Sequence, residues 1–269
     1  MGDQLGIVIT GGSRGLGFEL AWAFLRAGDR VVICGRSETS VNKALERLST
    51  TVTDAPVWGM ACDVANPDEM SVFAGFALAK LGCVDRWLNN AGSSGIRKRP
   101  LFDLDDADIV QTVGTNLTGT LIASRAAIRI MMSQEHEPGN AAACHIFNFG
   151  FSPAGVRFSR SPLPHKASKT GVAAVSRFLA EELEREGIRG IAVHEVSPGL
   201  VRTDLLLNDT DPVTRKFLET VADHPQTAAA LLLPKIRYPD KRSFLLRSRS
   251  LPVMIARMVW LQLKRQLTA

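Results

Sequence analysis

The chain predicts an α/β domain: a doubly wound parallel sheet with helices on both faces and a basic, apolar C-terminal extension. Three observations predict it. Short apolar segments alternate with amphipathic helical stretches. A glycine-rich turn joins the first apolar segment to the first helix. Further polar and glycine-bearing motifs recur at the carboxyl ends of later strands, where such sheets bind ligands.

The first strand is predicted over 5–10, and the turn that follows reads Thr10-Gly11-Gly12-Ser13-Arg14-Gly15-Leu16-Gly17. Beyond it, Leu16, Leu20 and Phe24 recur every fourth position, marking a helix over 16–27. In this setting Gly11 permits the tight turn and Gly15 lets backbone approach a pyrophosphate. Gly17 lets the helix pack on the sheet, and the phosphates meet free N–H groups at the helix start.

Later strands are predicted at 30–34, 57–62, 84–88, 145–149 and 191–196, with an edge strand at 243–247. Helices fill 38–50, 67–81, 104–133 and 166–187. In the last, Val172, Val175, Leu179 and Leu183 mark one face. Alternation of this kind implies right-handed crossovers and one parallel sheet. With no internal repeat or low-complexity linker, residues 1–240 form one domain and 241–269 an extension. Near the end, 225–237 reads as a helix interrupted by Pro234. Residues 252–266 read as a basic helix too apolar for solvent, suited to the protein body, a partner or a membrane surface.

Composition narrows the class. The 269 residues are 45% hydrophobic and 22% charged, enough apolar content for a core. No apolar run approaches the roughly 18 residues of a membrane span, and no signal peptide precedes the first strand. Cys34, Cys62, Cys83 and Cys144 stand singly, without metal-ligand spacing, so no metal site and a reducing compartment are expected. The net charge of +5 is concentrated late in the chain. A nucleic-acid role would need aromatic stacking residues in a basic groove, which the pattern lacks.

The chemistry-bearing residues lie mostly at strand ends. The end of the second strand lacks the acid that NAD sites usually carry there, and two cations, Arg14 in the turn and Arg36 after that strand, suit the 2′-phosphate of NADPH. Asp63 and Val64 close the third strand, with Asp63 able to accept from an adenine amino group. Asn90, Ala91 and Gly92 close the fourth and set amides and bare backbone against a cofactor. Asn116 sits in mid-helix, a poor place for asparagine and therefore a sign of function. After the sixth strand, Pro198 and Gly199 make a turn suited to a nicotinamide, with Thr203 available to its carboxamide.

Taken together, these motifs over residues 5–235 resemble the short-chain dehydrogenase/reductase family. The resemblance implies a Rossmann-like fold, hydride transfer with a nicotinamide cofactor and assembly into homo-oligomers. It also implies a catalytic set of asparagine, serine, tyrosine and lysine. Asn116, Ser152 and Lys169 match three of these, but the tyrosine position is His165, in His165-Lys166-Ala167-Ser168-Lys169. Several stretches are similar to the chlorophyll b reductase subgroup, among them Trp87-Leu88-Asn89-Asn90-Ala91-Gly92-Ser93 and 193–206. That likeness implies NADPH-dependent reduction of a formyl group on a large, flat, apolar tetrapyrrole, under a lid formed by 200–221. The basic tail suits peripheral membrane contact, and the expected location is the cytoplasm, or a plastid at the thylakoid periphery in a photosynthetic organism.

His165 changes the expected chemistry. The product alkoxide needs a proton, and histidine titrates in the right range for that work. Lys169, one helical turn away, disfavours the imidazolium. Slow reduction, improving at acid pH, is the expectation. The alternative is a cofactor-binding paralogue with weakened catalysis that serves as a partner or pigment-binding subunit, or a reductase of another apolar carbonyl.

Overall fold

The computed structural model describes residues 4–52, 54–134, 142–151, 156, 159, 161–239 and 244–249. Among these residues seven parallel strands form one sheet: β1 (Gly6–Thr10), β2 (Arg30–Gly35), β3 (Val57–Ala61), β4 (Arg86–Asn89), β5 (Cys144–Phe149), β6 (Ile191–Ser197) and β7 (Leu245–Arg247). Their order is β3-β2-β1-β4-β5-β6-β7. The chain therefore reverses its winding direction between β1 and β4, which opens a crevice at their carboxyl ends.

Side chains on β1 divide by parity between two cores. Ile7 and Ile9 join Leu20 and Phe24 of helix α1 (Gly15–Arg26) and Leu232 of helix α9 (Pro225–Arg237). Val8 points the other way, into a core with Phe73 of α3 (Pro67–Leu81) and Ala127 of α5 (Gly119–Met132). Helix α2 (Glu38–Thr51) completes the first layer through Ala44 and Leu48. Doubly wound packing buries β1 completely, which is why it reads as an unbroken apolar run.

The helix expected over 104–133 is built differently. Helix α4 (Asp106–Val113) passes into a π turn at Gly114–Thr118, and α5 follows. The Gly119 N–H reaches back five residues to the Gly114 carbonyl. Gly119 is needed for close approach, because a Cβ there would lie 2.6 Å from Val64 Cγ2.

Helix α6 (Leu163–Arg185) begins three residues ahead of the expected 166, on a first turn pre-set by Pro162 and Pro164. After β6 come α7 (Asp204–Leu207), α8 (Pro212–Val221) and α9. Pro234 does not interrupt α9. It lies in the last turn, where the helix continues to Arg237 and Tyr238 N–H still donates to the Pro234 carbonyl. The core contacts of Leu232 and Ile236 hold the turn around the missing donor. The predicted tail helix at 252–266 lies outside the described residues.

Arg86 fastens the end of α9 to the sheet. Its guanidinium donates to the carbonyls of Ile236 at 3.0 Å, Arg237 at 2.9 Å, Asp85 at 2.9 Å and Ala143 at 3.1 Å. A cation at a helix C-terminus also complements its dipole. Replacing Arg86 with alanine is expected to lower unfolding free energy by about 2–4 kcal/mol, since charged hydrogen bonds contribute roughly 1.5–3 kcal/mol each and are not additive. Urea denaturation followed by circular dichroism measures it.

Candidate active site

The glycine turn lies against the end of β4. Gly11 and Gly15 have φ of 66° and 58°, in the left-handed region open to glycine. A Cβ on Gly11 would meet Ala91 Cα at 2.8 Å, and one on Gly17 would meet the Gly11 carbonyl oxygen at 2.3 Å. The Ser13 hydroxyl fits because Gly35 has no side chain: a Cβ there would fall 2.7 Å from Ser13 Oγ. Leu16 anchors α1 in the core, and no side chain caps the helix start at Arg14. The first N–H groups of α1 are thus left for an anion, as a pyrophosphate requires.

Two of the residues expected to touch cofactor are also framework. Thr10 Oγ1 donates to the Leu88 carbonyl at 3.3 Å and accepts from Ala91 N–H at 3.1 Å. Asn90 Nδ2 donates to the carbonyls of Thr10 at 3.0 Å and Gly11 at 3.1 Å. Together they stitch β1 to β4 at the crevice.

Around the rim, Arg14 and Arg36 are exposed, and Arg14 lies 3.8 Å from Asp204. Asp63 is held through its N–H, which donates to Glu69 at 2.7 Å, while its carboxylate accepts from Ala65 N–H at 3.0 Å. Val64 is buried against Gly119. Pro198 accepts from the Ser248 hydroxyl at 2.7 Å, and Gly199 takes φ of 75°. Thr203 overlies the glycine turn, its methyl 3.2 Å from where a Gly15 Cβ would be.

Asn116 occupies the π turn and is fully buried. Its Oδ1 accepts from Ser93 N–H at 2.8 Å. Its Nδ2 donates to the Ser93 carbonyl at 2.8 Å and to Ser168 Oγ at 2.9 Å. Lys169 comes to the same place from α6, donating from Nζ to the Phe149 carbonyl at 2.6 Å. Both converge on Gly92, where a Cβ would lie 3.2 Å from Asn116 Oδ1 and from Lys169 Nζ. Burial lowers the Lys169 ammonium to about 8.

His165 lies one turn before Lys169 on α6 and is 1% exposed. Neither ring nitrogen has a hydrogen-bond partner among the described residues. The imidazole packs edge-on to Phe151 with centroids 5.0 Å apart. Burial foremost, then Lys169 and Lys98, lowers its pKa to about 3. Ser152 lies outside the described residues.

Sequence reasoning missed Lys98. Its Nζ donates to the Leu206 carbonyl at 2.7 Å and to Thr210 Oγ1 at 2.6 Å. Its N–H donates to Asp209, and nearby Ser94 Oγ donates to the Leu205 carbonyl at 2.9 Å. These bonds clasp the segment after β6 onto the loop after β4. No sequence pattern marks a contact between positions 108 apart; the run Arg97-Lys98-Arg99 was its only trace.

Comparison with known proteins places this architecture. The family model for short chain dehydrogenases matches residues 6–213. The chain belongs to the short-chain dehydrogenase/reductase family. It is 34% identical over 232 residues to chlorophyll(ide) b reductase NOL, chloroplastic, of Oryza sativa subsp. japonica, covering 86% of this chain and 66% of that one. It is 34% identical over 249 residues to probable chlorophyll(ide) b reductase NYC1, chloroplastic, of Arabidopsis thaliana, covering 86% and 48%. The short-chain enzyme thus spans less than two thirds of the length of these relatives.

Among solved structures, its fold matches a short-chain dehydrogenase/reductase from Burkholderia phymatum in complex with NAD, with a TM-score of 0.75 and 23% identity, covering 94% of this chain and 91% of that one. It also matches a metagenomic short-chain oxidoreductase in complex with NADP, with a TM-score of 0.68 and 24% identity, covering 91% and 95%.

The cradle predicts one outcome directly. Gly17→Ala is expected to weaken binding of a nicotinamide cofactor by at least about tenfold, or about 1.4 kcal/mol, because its Cβ collides with backbone. Fluorescence titration with NADH and with NADPH measures it.

Proposed function

We propose that this oxidoreductase uses NADPH to reduce the C7 formyl group of chlorophyll(ide) b, with Lys169 as the proton source. One observation carries the chemistry: a buried ammonium, Lys169, held against bare backbone at Gly92 beside the glycine turn. The substrate class rests on the relatives, whose names are chlorophyll(ide) b reductase.

In this reading Gly11, Ser13, Gly15 and Gly17 receive the pyrophosphate, while Arg14 and Arg36 meet the 2′-phosphate. The absence of an acid in Gly35-Arg36-Ser37 supports NADPH over NADH. Asp63 and Val64 border the adenine, Asn90 to Gly92 the ribose side, and Pro198, Gly199 and Thr203 the nicotinamide. When bound, NADPH supplies the hydride that turns the formyl carbon into an alkoxide carbon.

The chain supplies the proton. Lys169, with a pKa of about 8, is an ammonium at neutral pH and a stronger acid than an ordinary lysine. It gives its proton to the alkoxide oxygen. Asn116 holds Ser93 and Ser168 on either side of that transfer. Ser152 is assigned to the carbonyl oxygen on its place in the family pattern. His165, with a pKa of about 3, carries no proton to give at neutral pH. The acid-side rise in rate expected for a titrating histidine is therefore replaced by a basic-side fall.

One observation favours a second reading, a cofactor-binding partner or pigment-binding subunit with weak catalysis. It is the same neutral imidazole at the position where the family has tyrosine. Residues 1–240 carry the chemistry in either reading. The 241–269 extension is assigned to membrane contact, and the long helices to homo-oligomer contacts. The site is a plastid in a photosynthetic cell or the cytoplasm in a bacterium.

Single turnover with NADPH and chlorophyllide b, from about pH 5.5 to about 9, tests the proposal. The rate constant is expected to be level to about pH 7 and to fall above about 8, as Lys169 loses its proton. Lys169→Met is expected to slow the step by about a hundredfold or more. No reduction by a protein that binds NADPH defeats the reading. Separately, Arg36→Asp is expected to raise the Kd for NADPH at least about tenfold and leave that for NADH within about twofold.

A further inference from the structure

His165 is the buried polar group that the proposed chemistry leaves unused. The residue is 1% exposed, and neither Nδ1 nor Nε2 has a partner among the described residues. Buried polar groups without partners are rare and each needs a reason. Burial and the two ammonium groups of Lys98 and Lys169 keep the imidazole neutral. A neutral imidazole keeps a nitrogen lone pair, the form in which histidine binds metals. Among the described residues no three His, Cys, Asp or Glu side chains gather to hold an ion. A single imidazole suits a metal that arrives with its equatorial ligands already in place.

We propose that His165 is the axial ligand to the central magnesium of the tetrapyrrole substrate. The inference rests on the reading of the substrate as chlorophyll(ide) b. Four pyrrole nitrogens hold that magnesium in the ring plane and leave an axial position open. A neutral nitrogen donor fills it with no proton gained or lost and no bond of the pigment broken. Spacing on α6 supports the assignment. Lys169 follows His165 by four residues, about 6 Å along the helix axis. That is comparable to the separation of the ring's metal from a substituent on its rim. A pigment anchored by its metal at His165 brings its formyl oxygen toward Lys169. The Phe151 ring, edge-on to the imidazole at 5.0 Å, turns aside as the pigment seats.

The test is a pair of binding titrations of the full chain, read by pigment absorption and fluorescence. One uses chlorophyllide b; the other uses pheophorbide b, in which two protons replace the metal. The wild type is expected to bind chlorophyllide b at least about tenfold more tightly, with a spectral shift on axial ligation. In His165→Leu the preference disappears through weaker binding of chlorophyllide b alone, as a double-mutant cycle between residue and metal requires. Unchanged NADPH binding shows that the variant is folded; if it is not, the wild-type comparison still decides. Equal affinity of the wild type for both pigments, or a full metal preference in His165→Leu, overturns the axial ligand. It leaves the reductase reading intact wherever chlorophyllide b is still reduced. If neither pigment binds while NADPH does, the substrate reading and this inference fall together.

Discussion

The carboxamide of Asn116 is the interaction on which the site depends. It pairs with both the N–H and the carbonyl of Ser93, and it reaches Ser168 on α6. One fully buried side chain thereby ties the loop after β4, the π turn and the helix bearing His165 and Lys169. Each such bond contributes about 0.5–1.5 kcal/mol, but an orphaned buried partner costs more. From Ser93 the order spreads outward. Asp108 receives the N–H groups of Ile96 and Arg97, and Lys98 holds the segment at Leu206 and Thr210. The clasp over the cleft is thus the outer end of a chain of contacts that starts at one asparagine.

A second constraint is the meeting of β1 and β4. The sheet reverses its winding there, and a crevice between two parallel strand ends would splay without cross-links. Thr10 and Asn90 supply them through side-chain bonds to backbone. The glycines supply the other half, since backbone at Gly11 and Gly17 comes too close to its neighbours for any side chain. The stretch that holds the crevice together is thus the same one proposed to receive the cofactor.

Much of this was legible in the sequence, because buried parallel strands and amphipathic helices leave strong periodic traces. β2, β5 and β6 fall within one residue of their expected bounds. Asn116, a poor helix former, did mark a special place, but its spacing could not show that the helix widens there. Pro234 misled because a proline in a last turn costs one hydrogen bond, and the core contacts around it outweigh that loss. The proximity of Lys169 foretold a neutral His165, yet the largest cause is burial, which follows from tertiary packing. Lys98 was illegible for the same reason: its partners are met only when two loops fold over the crevice.

The π turn carries a consequence for how the chain tolerates insertions and deletions. It holds one residue more than a regular turn between α4 and α5, and each residue of an α-helix advances the direction of its side chains by about 100°. Shortening Gly114–Thr118 by one residue would give a more regular helix while turning α4 by that angle against α5. Asp108 would lose the loop it caps, and the carboxamide at 116 would lose Ser93, with overall helicity almost unchanged. Length at this point is therefore under tighter constraint than composition, and a family member aligned here with a one-residue gap would have to build its site by other means.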